Sequence, residues 1–154
     1  MASSSEARIT GGCQCGAVRY RLDTEPTETA ICHCRMCQKA SGNYFQALAE
    51  VGRAHFSWVR GTPGAFRSSA LVERDYCRDC GTPLSYRPSD YDTIWVTVGS
   101  LDQPGRVRPT KQYGIESQVT DFSTLAQLPV VTTVESTKPE RLVLLKSLQH
   151  PDHD

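Results

Sequence analysis

"AICHCRMCQKASG", residues 30–42, places Cys32, Cys34 and Cys37 within six positions. Three thiols are one short of the four that close a structural zinc site. The reading of fold and chemistry turns on whether a fourth ligand arrives from elsewhere in the chain. In an extended segment residues i and i+2 point to the same face, so the pair Cys32/Cys34 aims two thiolates at one ion. His33, between them, then points to the opposite face and is a neighbour of the site, not a ligand.

Working outward, the chain holds seven cysteines, and the other four form "CQC" (Cys13, Cys15) and "CRDC" (Cys77, Cys80). Gly81 directly after Cys80 suits a tight turn, because glycine accepts positive φ. Each pair supplies half a tetrahedron. Together they close a four-thiolate zinc site of the structural type, tying the N-terminal segment to a distant hairpin. The trio Cys32, Cys34 and Cys37 is then left with a fourth position open to water or substrate, which is the catalytic arrangement. Two other uses of the thiols stay open. Disulfides would consume six of the seven, and an iron–sulfur cluster also takes four thiolates.

The surroundings of these motifs read as β-structure. "AVRYRLD" (17–23) alternates apolar and polar residues as a half-buried strand does. "YFQALAEV" (44–51), "HFSWV" (55–59), "AFRS" (65–68), "LSYR" (84–87), "TIWVTVGS" (93–100) and "RLVLLKSL" (141–148) read as further strands. Gly- and Pro-bearing breaks such as "RGTPG" and "DQPG" separate many of them. Helix is scarce: a short one over "CRMCQKASG" stopping at Gly42, and a turn or two over "DFSTLAQLP" (121–129). The expected organisation is a flexible N-terminus (1–10), one zinc-binding β domain (11–148) and a flexible tail (149–154). A length of 154 residues fits one domain.

Acidic and basic residues balance at 17 each, so the formal net charge is zero. That speaks against nucleic acid or an anionic membrane as a partner. "MASSSEARIT" lacks the apolar core of a secretory signal, and runs such as "LVLL" (142–145) are too short to span a bilayer. The expectation is a soluble, cytoplasmic chain, in which close cysteine spacing argues for metal over disulfides.

Zinc with three thiolates is a weak Lewis acid compared with a three-histidine site but suits a fourth thiol, which coordination deprotonates. The expected chemistry is sulfur attack on a small electrophile, or its reversal. Arg35 and Lys39 beside the trio are candidates to pair with carboxylates of an anionic thiol, or are plain surface charges. Glu73, Asp75 and Asp79 flank the second knuckle, and none is assigned as a base.

The sequence resembles the glutathione-dependent formaldehyde-activating enzyme family, which also includes centromere protein V. The resemblance rests on "GGCQCGAVRY" (11–20), "CHCRMCQKASGNYF" (32–45), "YCRDCGTPLSYR" (76–87) and "WVTVGSLDQP" (95–104). It implies small coiled antiparallel sheets of the Mss-four-like type. It also implies a structural zinc on Cys13, Cys15, Cys77 and Cys80 and a catalytic zinc on Cys32, Cys34 and Cys37. The implied activity is condensation of glutathione with formaldehyde to S-hydroxymethylglutathione, formally that of a carbon–sulfur lyase. The sequence departs from the family pattern at Gln112, about where many members carry a histidine, and in "VTDFSTL", which lacks the family's tryptophan. The reading is therefore a zinc enzyme whose partners are a small-molecule thiol and a small electrophile. The alternatives are a non-catalytic zinc-stabilised binding module, a glutathione carrier, or a zinc store or redox sensor.

Overall fold

The computed structural model describes residues 8–153 and is mostly β. Ten strands form two sheets. The smaller has the order β1(Ile9–Gly12)–β2(Arg19–Leu22)–β5(Phe56–Arg60). The larger has the order β10(Lys111–Tyr113)–β3(Glu28–Cys32)–β4(Gln46–Gly52)–β9(Thr93–Thr97)–β8(Pro83–Pro88)–β7(Val72–Tyr76)–β6(Gly64–Arg67). All pairings are antiparallel except the edge pair β10–β3, which is parallel.

Strand alternation divides the large sheet between two tasks. Ala49, Val51, Ile94 and Val96 join Tyr20 and Leu22 of the small sheet in one buried core. Phe56 and Trp58 pack against that core, with Tyr20 within 5.5 and 6.0 Å of their ring centroids. Tyr20 is fully buried and its hydroxyl meets Ser100 Oγ at 2.7 Å. Gly11 makes room for it: a Cβ there would lie 2.5 Å from the Tyr20 ring and 2.6 Å from the Ser100 carbonyl. The opposite face of the large sheet is free to line a cleft.

A buried ion pair braces the start of the chain. Both Arg19 Nη atoms donate to Asp102, at 2.8 and 2.5 Å, and Thr10 Oγ1 donates to the same carboxylate. Burial raises the Asp102 carboxyl, but the hydrogen bonds from Arg19 and Thr10 outweigh it and hold the group below its usual range.

Several expectations need correction. "RLVLLKSL" is not a strand. Pro139 opens a short helix, α3 (Pro139–Leu142), and the following leucines find no sheet edge, Leu148 being 94% exposed. The four-residue α2 (Thr133–Ser136) precedes it. The turn or two expected over "DFSTLAQLP" is present, as a 3-10 helix over Phe122–Gln127. β1 begins at Ile9, inside the segment expected to be loose, while residues 1–7 of that segment lie outside the described residues. In the tail, His150 N donates to the Gln14 carbonyl at 2.8 Å and its ring covers Gly16. Strands β1, β3, β7 and β10 were not anticipated.

Candidate metal centres

The cysteines gather into two sets. Within each, the sulfur atoms all lie within 4.8 Å of one another: Cys13, Cys15, Cys77 and Cys80 in one, Cys32, Cys34 and Cys37 in the other. All seven cysteines are free.

Two similar turns build the first set. Cys13 and Cys15 follow β1, and Gly16 closes their turn at φ +78°, its N–H donating to the Cys13 carbonyl at 3.0 Å. Cys77 and Cys80 follow β7, and Gly81 repeats the geometry at φ +77°, donating to the Cys77 carbonyl at 3.0 Å. The Val18 N–H donates to Cys13 Sγ at 3.2 Å. The sulfurs of Cys13 and Cys15 are 3.6 Å apart, and those of Cys15 and Cys77 are 3.7 Å apart. Four sulfurs at about 2.3 Å from a tetrahedral zinc would stand about 3.8 Å from one another. The set therefore fits zinc. Burial raises the Cys80 thiol, but hydrogen bonds from the Thr82 hydroxyl and backbone bring it down to about 6, toward the thiolate form that binds metal.

The trio sits where β3 meets α1 (Arg35–Ser41). Cys32 ends β3, Cys34 is the helix N-cap, and Cys37 lies in the first turn, donating its N–H to Cys34 Sγ at 3.4 Å. Gly42, at φ +62°, ends the helix where the sequence placed its stop. A hydrogen bond from the Cys32 thiol draws Cys37 down to about 5; burial opposes this and Arg74 adds to it. The same bond, with burial, raises Cys32. Three convergent sulfurs with a thiolate among them also suit a soft divalent ion.

Arg74 is the residue that sequence reasoning missed. It is buried on β7, donates from Nη2 to Cys37 Sγ at 3.3 Å and from Nη1 to Gln46 Oε1 at 2.7 Å. Nε donates to Ser68 Oγ at 3.1 Å, and the guanidinium carbon stands 5.0 Å from the Tyr86 ring centroid. The signal was available in "VERDY": alternation on a strand sends Glu73 and Asp75 to one face and Arg74 to the other.

The trio opens into a cleft of about 640 Å³ on the free face of the large sheet. Cys32, Cys34, Cys37, Arg74, Ala30, Leu48, Glu28, Glu50 and Trp95 are among the residues that line it. Arg35 and Lys39 do not line it; Arg35 is turned back to Gln38 on its own helix. Glu73 and Asp75 are both engaged by Arg87, and neither they nor Asp79 lines the cleft.

His33 is fully buried and is not among the converging ligand atoms. Its Nε2 meets Gln112 Oε1 at 2.8 Å, and its ring contacts Phe122 edge-on at 4.6 Å. Gln112 thus orients the buried His33 ring.

A family model described as glutathione-dependent formaldehyde-activating enzyme matches residues 8–117. The chain belongs to this family. An uncharacterized lyase of Schizosaccharomyces pombe is 29% identical over 76 residues, which are 49% of this chain and 55% of that one. The chain thus spans about half the length of this curated relative. The crystal structure of a Rhodobacter sphaeroides protein matches with a TM-score of 0.55 and 22% identity, over 67% of this chain and 98% of that chain. The two share a fold. All seven cysteines of this family member fall within the matched residues. Among the described residues, no helix is long and apolar enough to cross a membrane.

Proposed function

We propose that the protein is a zinc-dependent lyase-type enzyme that adds a thiol, glutathione or a similar one, reversibly to formaldehyde or another small carbonyl. In the forward direction a carbon–sulfur bond forms, the carbonyl π electrons move to oxygen, and the proton lost by the thiol ends on that oxygen. The reverse direction breaks the carbon–sulfur bond. The observation that carries this reading is the contrast between the two sulfur sets. Four sulfurs complete one tetrahedron, whereas three sulfurs face a cleft large enough for a small thiol and its partner. The family's name and the lyase name of the yeast relative support the same class.

In this reading Cys13, Cys15, Cys77 and Cys80 hold a structural zinc, and Cys32, Cys34 and Cys37 hold the catalytic one. Zinc bound by the trio would lower the pKa of an incoming thiol and keep it as a thiolate at neutral pH. The chain's own residues do the rest. Cys34 as N-cap and Gly42 as C-cap fix α1, so the trio converges. Arg74 offsets the negative charge of the sulfurs. Ala30 and Leu48 give the cleft part of its apolar lining.

The test is metal content, thiol affinity and turnover of wild type and Cys34→Ser. Wild type should carry about two zincs per chain, bind mercaptoethanol in a trio-dependent way, and accelerate S-hydroxymethyl thiol formation at catalytic protein concentrations. Cys34→Ser should lose one zinc and the thiol binding. A single zinc in the wild type, or thiol affinity untouched by Cys34→Ser, would refute the proposal. Tight thiol binding without turnover would make the protein a carrier.

A further inference from the structure

Addition of a thiolate to a carbonyl gathers negative charge on the carbonyl oxygen, and that oxygen finally takes a proton. A side chain that serves it must line the cleft beside the trio, hold a proton it can release, and be free of other partners. Most polar groups of the lining fail one of these conditions. Glu28 lies four residues from Cys32 on β3, about 13 Å along an extended strand, and Glu50 stands opposite it in register. The Tyr113 hydroxyl is committed to Glu28 Oε1 at 2.6 Å. Arg74 donates from all three nitrogens, to Cys37, Gln46 and Ser68. Thr93 Oγ1 is closed off from solvent, and Ser69 Oγ is tied to its own turn by the Leu71 N–H at 3.3 Å. Asp90 and Tyr91 stand exposed, and the Trp95 indole donates a hydrogen bond without giving up its proton.

Tyr86 meets all three conditions. Register pairs it with Arg74 on β7 and with Trp95 on β9, so the three side chains share the face that lines the cleft. The Arg74 guanidinium carbon lies 5.0 Å from the Tyr86 ring centroid, while its Nη2 reaches Cys37 Sγ at 3.3 Å. One guanidinium therefore joins the phenol to the trio. The Tyr86 hydroxyl has no hydrogen-bond partner among the described residues, and it is not closed off from solvent. Burial raises the phenol above its ordinary value; Arg74 opposes this, and Cys37, Cys32 and Cys34 add to it. The group is thus protonated at neutral pH, and all three sulfurs are near enough to act on it.

We propose that Tyr86 is a catalytic residue of the addition, its O–H donating to the carbonyl oxygen of the electrophile while the thiolate attacks the carbon. This rests on the reading above that a thiol ionises at the trio. A sulfur lone pair makes the carbon–sulfur bond, the π pair moves to oxygen, and the phenol proton follows it. The proton that the thiol lost on ionising returns to the phenolate through solvent. In the reverse direction the phenolate takes the hydroxyl proton as the carbon–sulfur bond breaks. Because the phenol acts on the electrophile, its effect is the same for glutathione and for a smaller thiol.

The experiment compares the zinc-loaded full chain with Tyr86→Phe, which keeps the ring under Arg74 and removes only the oxygen. Zinc content and melting temperature should not change. The kcat for S-hydroxymethyl thiol formation from formaldehyde should fall about 10²-fold, with glutathione and with mercaptoethanol alike. The KM for either thiol should stay where it was. A second readout needs no turnover. Mercaptoethanol held through sulfur carries its hydroxyl close to where the adduct oxygen forms, and ethanethiol lacks that hydroxyl. The ratio of their affinities, measured by calorimetry, should shift against mercaptoethanol by about 2–10-fold in Tyr86→Phe, the worth of one hydrogen bond. Undiminished kcat in Tyr86→Phe overturns this proposal and leaves the lyase reading intact. A fall in kcat that comes with lost zinc and an unmoved affinity ratio also overturns it, because the hydroxyl is then structural. Wild type that binds both thiols but does not turn over overturns the lyase reading and the catalytic role together.

Discussion

Replacing Arg74 by glutamine separates the two metal centres. The guanidinium donates to Cys37 Sγ at 3.3 Å in a buried setting. A hydrogen bond to a charged group is worth about 1.5–3 kcal/mol. With about 1.4 kcal/mol for each factor of ten, the trio should lose roughly 10–100-fold in zinc affinity, the range found for partners that orient metal ligands. The four-sulfur set makes no contact with Arg74 and should be unchanged. The substitution also removes the donor to buried Gln46 Oε1, so the melting temperature should fall by the equivalent of about 1–3 kcal/mol. The assay is titration of metal-free protein with Co²⁺ or Zn²⁺ against a chelator, resolving two affinities. Arg74→Lys, which keeps the charge but not the fork, should fall between wild type and Arg74→Gln. Equal weakening at both sites, or no weakening at the trio, would show that Arg74 supports the fold alone.

Cys77→Ser should cost both a zinc and thermal stability, because it opens the set that joins the N-terminal turn to the β7–β8 connection; unchanged melting would refute a structural role for that set. Gly11→Ala should destabilise by about 1–3 kcal/mol in urea unfolding, since its Cβ would press on Tyr20 and the Ser100 carbonyl. Asp102→Asn removes the carboxylate that both Arg19 Nη atoms reach and should cost about 1.5–3 kcal/mol at pH 7. The folded-state pKa of Asp102 is lowered, so its contribution is full above the unfolded value near about 4 and is lost as pH falls toward the folded value. The gap in urea midpoint between wild type and Asp102→Asn should therefore narrow below about pH 4, and a constant gap would contradict the assignment.

The sequence carried the β class and the grouping of the sulfurs, because spacings of two and three residues act locally and survive without knowledge of the fold. It did not carry what depends on strand neighbours. The charges of "VERDYCRDC" have no role legible in the sequence, yet pairing on both sides buries Arg74 and Asp75 on opposite faces of β7. "ETAIC" is too short to show a period, and only its pairing with β4 and β10 makes it a strand. "RLVLLKSL" erred the other way: its apolar run suggested a strand, but nothing pairs with it and Pro139 starts a helix. The cleft was invisible because Glu28, Glu50 and Trp95 come from three strands that meet only through register.

The separation of ligands along the chain sets a timetable for assembly. Cys32, Cys34 and Cys37 emerge from the ribosome almost together and could capture an ion before the large sheet exists. Cys15 and Cys77 are 62 residues apart, so the other centre must wait until most strands have been synthesised and brought together. An ion held by the trio would thus load earlier in biosynthesis than one held by the four-sulfur set.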